Sequence, residues 1–187
     1  MTAFTTLRLI LGDQLNAGHS WFSQKDSRVL YTLMEIRQET DATRHHIQKI
    51  IAFFAAMREF ANHLKTQGHA VAYIRLDDAE NRHFFEQNLL YLIEKYTISE
   101  FEYLLPDDYR LDTYFEKMAQ TLPVRVRAYD TEHFLSSRQE VGDFFRDKKQ
   151  YLMESFYRSM RKTHGILMEG TKPQGGKWNF DAANRQP

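Results

Sequence analysis

Cysteine is absent from all 187 residues, so the chain itself can hold no disulfide, no thiolate zinc site and no cysteine-ligated iron–sulfur cluster. The same absence fits a reducing compartment, and the expected location is cytoplasmic. Net charge is also missing. The 25 Lys and Arg balance the 25 Asp and Glu, which leaves no overall positive field to draw in nucleic acid and no acidic surplus to favour disorder. Any contact with nucleic acid must therefore be local. Nowhere do eighteen apolar residues run together, and Met1-Thr2-Ala3-Phe4 lacks the basic flank and long apolar stretch of a signal peptide, so neither secretion nor membrane spanning is expected. No internal repeat or low-complexity tract breaks the chain.

What is present is enough apolar material, 42% of residues with 14% aromatic, for one sizeable core. Leu7 to Leu11 is a short apolar run stopped by Gly12-Asp13-Gln14, the pattern of a buried strand ending in a turn. Further strands are expected at Arg28–Met34, Val71–Leu76, Glu100–Leu105 and Val124–Ala128. Between them Ile47, Ile50, Ile51, Phe54, Met57, Ala61 and Leu64 recur at helical spacing, which predicts a long helix starting near Asp41, a candidate N-cap, and stopping before Gly68. Arg82–Tyr96 and Tyr109–Gln120 read as helices too. Short apolar runs alternating with helices predict an α/β fold in which a parallel sheet is covered on both faces. From Ser137 the pattern changes to two helical stretches, about 138–149 and 151–164, with no strand left for the sheet. The segment from Gly165 to Pro187 has no period and reads as a linker.

In an open parallel sheet the ligand crevice lies beyond the carboxyl ends of the strands. Gly12, Asp13, Gln14 and Leu15 sit at such an end. There glycine admits a close approach, and the two polar side chains can bond a ring edge or a sugar-like chain, although a tight turn would use the same residues. Glu35, Glu39, His45 and His46 follow the second strand and fall at the same edge. Adjacent histidines on a helix point about 100° apart, and no HExxH pattern completes a site, so no metal is expected. Glu39 and Asp41 equally suit a helix N-terminus. The stretch from Gly170 to Lys177 imitates a phosphate-binding loop but fails: Gly176 stands where lysine is required, Trp178 follows Lys177, and no strand is expected before it. There is no GxGxxG and no GxSxG. Arg158, Arg161 and Lys162 fall on one helical face, Lys172, Lys177 and Arg185 extend the charge, and Trp178 and Phe180 interleave with it. That texture suits a nucleic-acid edge, a docking surface or a solvated face. Tyr151, Phe156, Tyr157, Met160 and Leu167 read as the packing side of that last helix.

Leu9-Ile10-Leu11-Gly12-Asp13-Gln14-Leu15, the stretch from Glu39 to His46 leading into Ile50–Met57, the block Tyr151 to Arg158, and Gly175-Gly176-Lys177-Trp178-Asn179-Phe180-Asp181 followed by Asn184-Arg185-Gln186-Pro187 resemble, in order and over nearly the whole chain, the photolyase-related family. The resemblance is to its iron–sulfur bacterial cryptochrome and (6-4) photolyase members. It implies a Rossmann-like five-stranded sheet of order 3-2-1-4-5, with an antenna-binding core over residues 1–136, helices over 137–164, and an interdomain linker over 165–187. The linker would be cut before a C-terminal domain holding FAD and a 4Fe–4S cluster. It further implies 6,7-dimethyl-8-ribityllumazine as the antenna, with Gly12, Asp13, Gln14, Leu15, Glu39 and His45 matching positions that line its site. Glu35 is added to that set from its place at the sheet edge, and Ala42 stands where a family relative has an aromatic. Arg185 corresponds to a basic linker position that contacts DNA in the family, and Lys177 is taken with it. No catalytic residue is expected, because a light-collecting domain needs no acid, base or nucleophile. The parent's role would be repair of ultraviolet-damaged DNA. A cryptochrome-like photoreceptor and a free-standing nucleotide- or metabolite-binding module remain alternatives.

Overall fold

The computed structural model describes residues 4–181, and the chain divides into two units, one ending at His133 and the other starting at Phe134. In the first unit, strands β1 (Thr6–Leu9), β2 (Val29–Met34), β3 (Ala70–Ile74), β4 (Glu100–Leu104) and β5 (Arg125–Tyr129) form one all-parallel sheet. Its order is β3-β2-β1-β4-β5, as the resemblance implied. Leu7 of the central strand pairs with Leu30 on one side and Phe101 on the other. Helices α1 (Arg37–Thr40), α2 (Ile47–Thr66), α3 (Phe85–Tyr96) and α4 (Tyr109–Met118) fill the crossovers.

Helices cover both faces, and β2 is accordingly buried at all six residues, whereas β1 carries Arg8, and β4 and β5 carry charged side chains at alternate positions. On one face Leu7, Leu9, Leu30 and Phe101 pack with Leu89, Leu92, Leu111 and Phe115 from α3 and α4. On the other, Ile10, Tyr31, Leu33 and Leu104 pack with Met57, Phe60, Ala61 and Leu64 of α2 and with Trp21. Each such side chain, fully buried, contributes about 1.5–3 kcal/mol. One polar group interrupts this second face. Arg8 donates from Nε to Glu102 at 2.6 Å and from a terminal nitrogen to the Tyr31 hydroxyl at 3.0 Å, with its guanidinium 4.8 Å from the Trp21 ring centre. Tyr129 donates to the other oxygen of Glu102 at 2.9 Å, so the carboxylate is paired on both sides.

The long helix begins later than the sequence suggested. Asp41 closes the single turn of α1, its N–H donating to the Arg37 carbonyl, and α2 starts at Ile47 with His46 as its cap, Nδ1 accepting from the Gln48 N–H at 3.2 Å. The apolar period starts only at Ile47, and Ile36, 2% exposed, holds the preceding segment at the sheet edge. At the end of α3, Thr97 occupies the left-handed region (φ 54°, ψ 47°) that glycine favours.

The second unit contains α5 (Glu140–Phe145), α6 (Met153–His164) and a two-residue antiparallel hairpin of β6 (Met168–Glu169) and β7 (Lys172–Pro173). The hairpin lies within the stretch read as a linker, and β6 directly precedes Gly170, where no strand was expected. The side read as packing is also different. Phe156 is buried, but Tyr151, Tyr157 and Leu167 are exposed, and Arg161 is buried in their stead. The reason lies in the hairpin: the Arg161 guanidinium donates to the carbonyls of Ile166, Leu167 and Trp178 and lies 5.3 Å from the Trp178 ring centre. Among the described residues no helix is long and apolar enough to cross a membrane.

Candidate functional site

Where β1 and β2 end, the chain turns away and α2 crosses above, leaving a cavity of about 440 Å³ at the carboxyl edge of the sheet. Its walls are mainly apolar: Ile10 and Leu11 after β1, Met34 and Ile36 after β2, Phe53, Phe54 and Met57 from α2, and Phe85 from α3. Gly12 sets the distance between turn and helix. A Cβ there would stand 3.0 Å from the Met57 sulfur and 3.2 Å from a Phe53 ring carbon, so a side chain would push against α2. Polar groups gather on the rim: Asp13, Glu39, Thr40, Thr43, His45, Lys49, Asp108 and Arg110.

Of the residues expected at this crevice, Gly12, Asp13, Glu39 and His45 lie on the wall, and so does Ala42, while Gln14, Leu15 and Glu35 do not. Gln14 is only 2% exposed and its side chain is spent on backbone. Its Oε1 accepts from the Leu11 N–H at 3.0 Å and its Nε2 donates to the Leu104 carbonyl at 3.1 Å, which ties the exit of β1 to the exit of β4. Leu15 packs in the core between the sheet and α2. Glu35 is completely buried and fully engaged. Its carboxylate accepts from Arg58 Nε at 2.6 Å and Nη2 at 2.8 Å, from the Tyr73 hydroxyl at 2.7 Å and from the Leu76 N–H at 3.0 Å. Burial alone would raise its pKa, but these donors outweigh it and hold the carboxyl below its ordinary value. Gln14 and Glu35 thus fix the floor and flank of the crevice. Lys177 is exposed in the second unit, and Arg185 lies outside the described residues.

Two features of the site were not legible in the sequence. Of the aromatic wall, Phe54 reads as core by periodicity, and Phe53 and Phe85 carry no signal that sets them apart from other residues of their helices. Arg110 comes from the start of α4, placed there because Asp108 caps that helix, its Oδ1 accepting from the N–H groups of Arg110 and Leu111. The rule that loops after every strand share one edge was the available signal for Arg110. Its guanidinium reaches Glu39 of α1 at 3.0 Å, and that pairing keeps it firmly protonated. Asp13 responds oppositely: although exposed, it loses part of its hydration to the surrounding protein, and that, with repulsion from Asp107 and Asp108, pushes its carboxyl up. Among the described residues no cluster of three His, Cys, Asp or Glu is arranged to hold a metal ion.

An open, all-parallel α/β sheet with a mainly apolar cavity beyond its carboxyl edge defines a class: a doubly wound domain with a crevice at the place where such folds take their ligands. The chain belongs to the deoxyribodipyrimidine photo-lyase-related protein family, whose model matches residues 8–187. It is 37% identical over 182 residues to a (6-4) photolyase of Agrobacterium fabrum, covering 97% of this chain and 36% of that protein. It is also 28% identical over 147 residues to uncharacterized protein R852 of Acanthamoeba polyphaga mimivirus, covering 76% of this chain and 72% of that protein. The chain thus spans about a third of the length of the Agrobacterium relative.

Proposed function

We propose that this chain is the antenna-binding domain of a photolyase-related flavoprotein that repairs (6-4) photoproducts in DNA, and that its cavity takes 6,7-dimethyl-8-ribityllumazine. The observation that carries the reading is the cavity itself: about 440 Å³ and mainly apolar, with several hydrogen-bonding side chains among its lining residues. That volume falls in the range of small-molecule sites, about 300–1,000 Å³. Its residues suit a flat heterocycle with a polyhydroxyl tail: Met57, Phe53 and Ile36 offer apolar surface for a ring, and Asp13, Thr43 and His45 offer hydrogen-bonding groups for a tail. Bound there, the chromophore would absorb near-ultraviolet or blue light and pass excitation to reduced FAD elsewhere in the parent protein. The chain's own residues hold and orient: Gly12 lets the turn approach α2, Gln14 and Glu35 stiffen the strand exits, and the aromatic wall excludes water. FAD and the 4Fe–4S cluster are assigned to a partner domain, in keeping with the absence of cysteine here.

For DNA, the second unit is the better candidate surface. From residue 134 onward ten Lys and Arg stand against six Asp and Glu, so the even balance of the whole chain conceals a basic portion. Arg158 and Lys162 lie over Trp178 and exposed Lys177 adjoins it, while buried Arg161 packs against the ring and is not part of that surface. A second reading, a free-standing ligand-binding module, draws on the mimivirus relative, in which the matched stretch makes up most of the protein; a cryptochrome-like photoreceptor shares the antenna claim with the first. Titrating the lumazine into the purified chain tests that claim. A saturable, one-to-one change in its fluorescence is expected, and the absence of saturation would remove the antenna role.

A further inference from the structure

We infer that Arg110 is the recognition residue of the cavity for a guest with an anionic edge, and that the Glu39–Arg110 ion pair is the latch such a guest displaces. The inference rests on the reading that the cavity holds a flat organic ligand, and it concerns guests that carry an anion; the lumazine, which has no anionic group, would meet Arg110 only through a ring carbonyl oxygen. The apolar walls discriminate little among rings of similar size. Discrimination must come from the rim, and there Arg110 holds a distinctive position. It belongs to α4, whereas its partner Glu39 belongs to α1, seventy-one residues away in sequence. Both side chains lie on the cavity wall, together with Thr40, Ala42, Thr43 and His45 of the same segment. Both terminal nitrogens of Arg110 reach Glu39, at 3.0–3.3 Å, so the pair spans the mouth of the cavity.

The pair is easily exchanged. Arg110 is 49% and Glu39 33% exposed, and ion pairs at that exposure contribute little to stability. An anionic group arriving with an apolar body already in the cavity offers Arg110 the same bidentate geometry in a drier place, where charge-assisted bonds are stronger. Asp108 does not compete, since its Oδ1 caps α4 and its Oδ2 stays 3.9 Å from Arg110. Lys49 adds a second positive charge on the wall. It meets His45 Nδ1 at 3.5 Å and lies 5.9 Å from the Phe53 ring centre, with no ion pair to a carboxylate among the described residues.

Two dyes of one ring system separate this role from the cavity itself: 1-anilinonaphthalene-8-sulfonate, which carries an anion, and N-phenyl-1-naphthylamine, which does not. Each is titrated by fluorescence into the intact chain and into Arg110→Met and Glu39→Gln, with circular dichroism to confirm folding. For the sulfonate, Arg110→Met is expected to weaken binding about tenfold and Glu39→Gln to tighten it about threefold, while the uncharged dye changes less than about twofold in either. Opposite signs are the signature, because a pair that merely propped the segment 37–46 would weaken both dyes in both variants. That outcome, or no change at all, overturns the inference while leaving the antenna reading intact. Sulfonate binding that survives Gly12→Val overturns it as well, since the anion is then held outside the cavity. If neither dye nor the lumazine binds the unaltered chain, both readings fall together.

Discussion

Replacing Glu35 by Gln removes one charge from a carboxylate with no exposed surface and four donors between 2.6 and 3.0 Å. Breaking a buried ion pair costs about 3–5 kcal/mol when the remaining charge is stranded. Here the remaining charge is not stranded: Arg58 is 46% exposed and can turn to water, and glutamine keeps one oxygen for the Leu76 N–H or the Tyr73 hydroxyl. The expected loss is therefore at the lower end, about 3 kcal/mol at pH 7. Arg58→Met is the sharper perturbation, because it leaves the carboxylate buried with only Tyr73 and Leu76 as donors. It should cost about 3–5 kcal/mol and move the Glu35 carboxyl from below its ordinary value to above it. The pH dependence is signed. A carboxyl whose pKa is depressed on folding adds stability that is fully present above the unfolded value of 4.5 and is lost as pH falls through the lower, folded value. Urea unfolding of the unaltered chain and Glu35→Gln, followed by circular dichroism between pH 7 and pH 3, should show a gap that is widest near neutrality and narrows below about pH 4.5. A gap under about 0.5 kcal/mol at pH 7, or one that stays constant into acid, would refute the assignment of Glu35 as a charged anchor.

Thr97→Gly should stabilise the chain by about 0.5–1 kcal/mol, because an exposed β-branched residue now sits at φ 54°; a melting temperature raised by about 1–4 °C checks it. Gly12→Val should lower stability by about 1–3 kcal/mol by forcing Met57 and Phe53 outward, and should abolish lumazine binding; thermal melts and the fluorescence titration read the two effects separately.

The element order was legible because it depends on local signals. Gly12-Asp13-Gln14 ends an apolar run, Gly68 follows the last periodic residue of α2, and short strands alternating with helices admit few arrangements. The start of α2 was not legible, since Asp41 and His46 are both competent caps and the choice between them depended on where Ile36 had to be buried. Gln14 and Glu35 show the same boundary within the site. Both are polar residues at the right edge of the sheet, but which way each side chain turns was decided by partners remote in sequence, Leu104 for one and Arg58 with Tyr73 for the other.

By itself, the sequence determined an α/β chain free of cysteine, with its polar candidates at the carboxyl ends of the first two strands, because hydrophobic period and turn chemistry act over a few residues. Only the tertiary structure decided which of those candidates face empty space. The cavity exists because Gly12 lets α2 pass close above the sheet and because α4 brings Arg110 across to Glu39, and such approaches depend on packing between elements that no local pattern records.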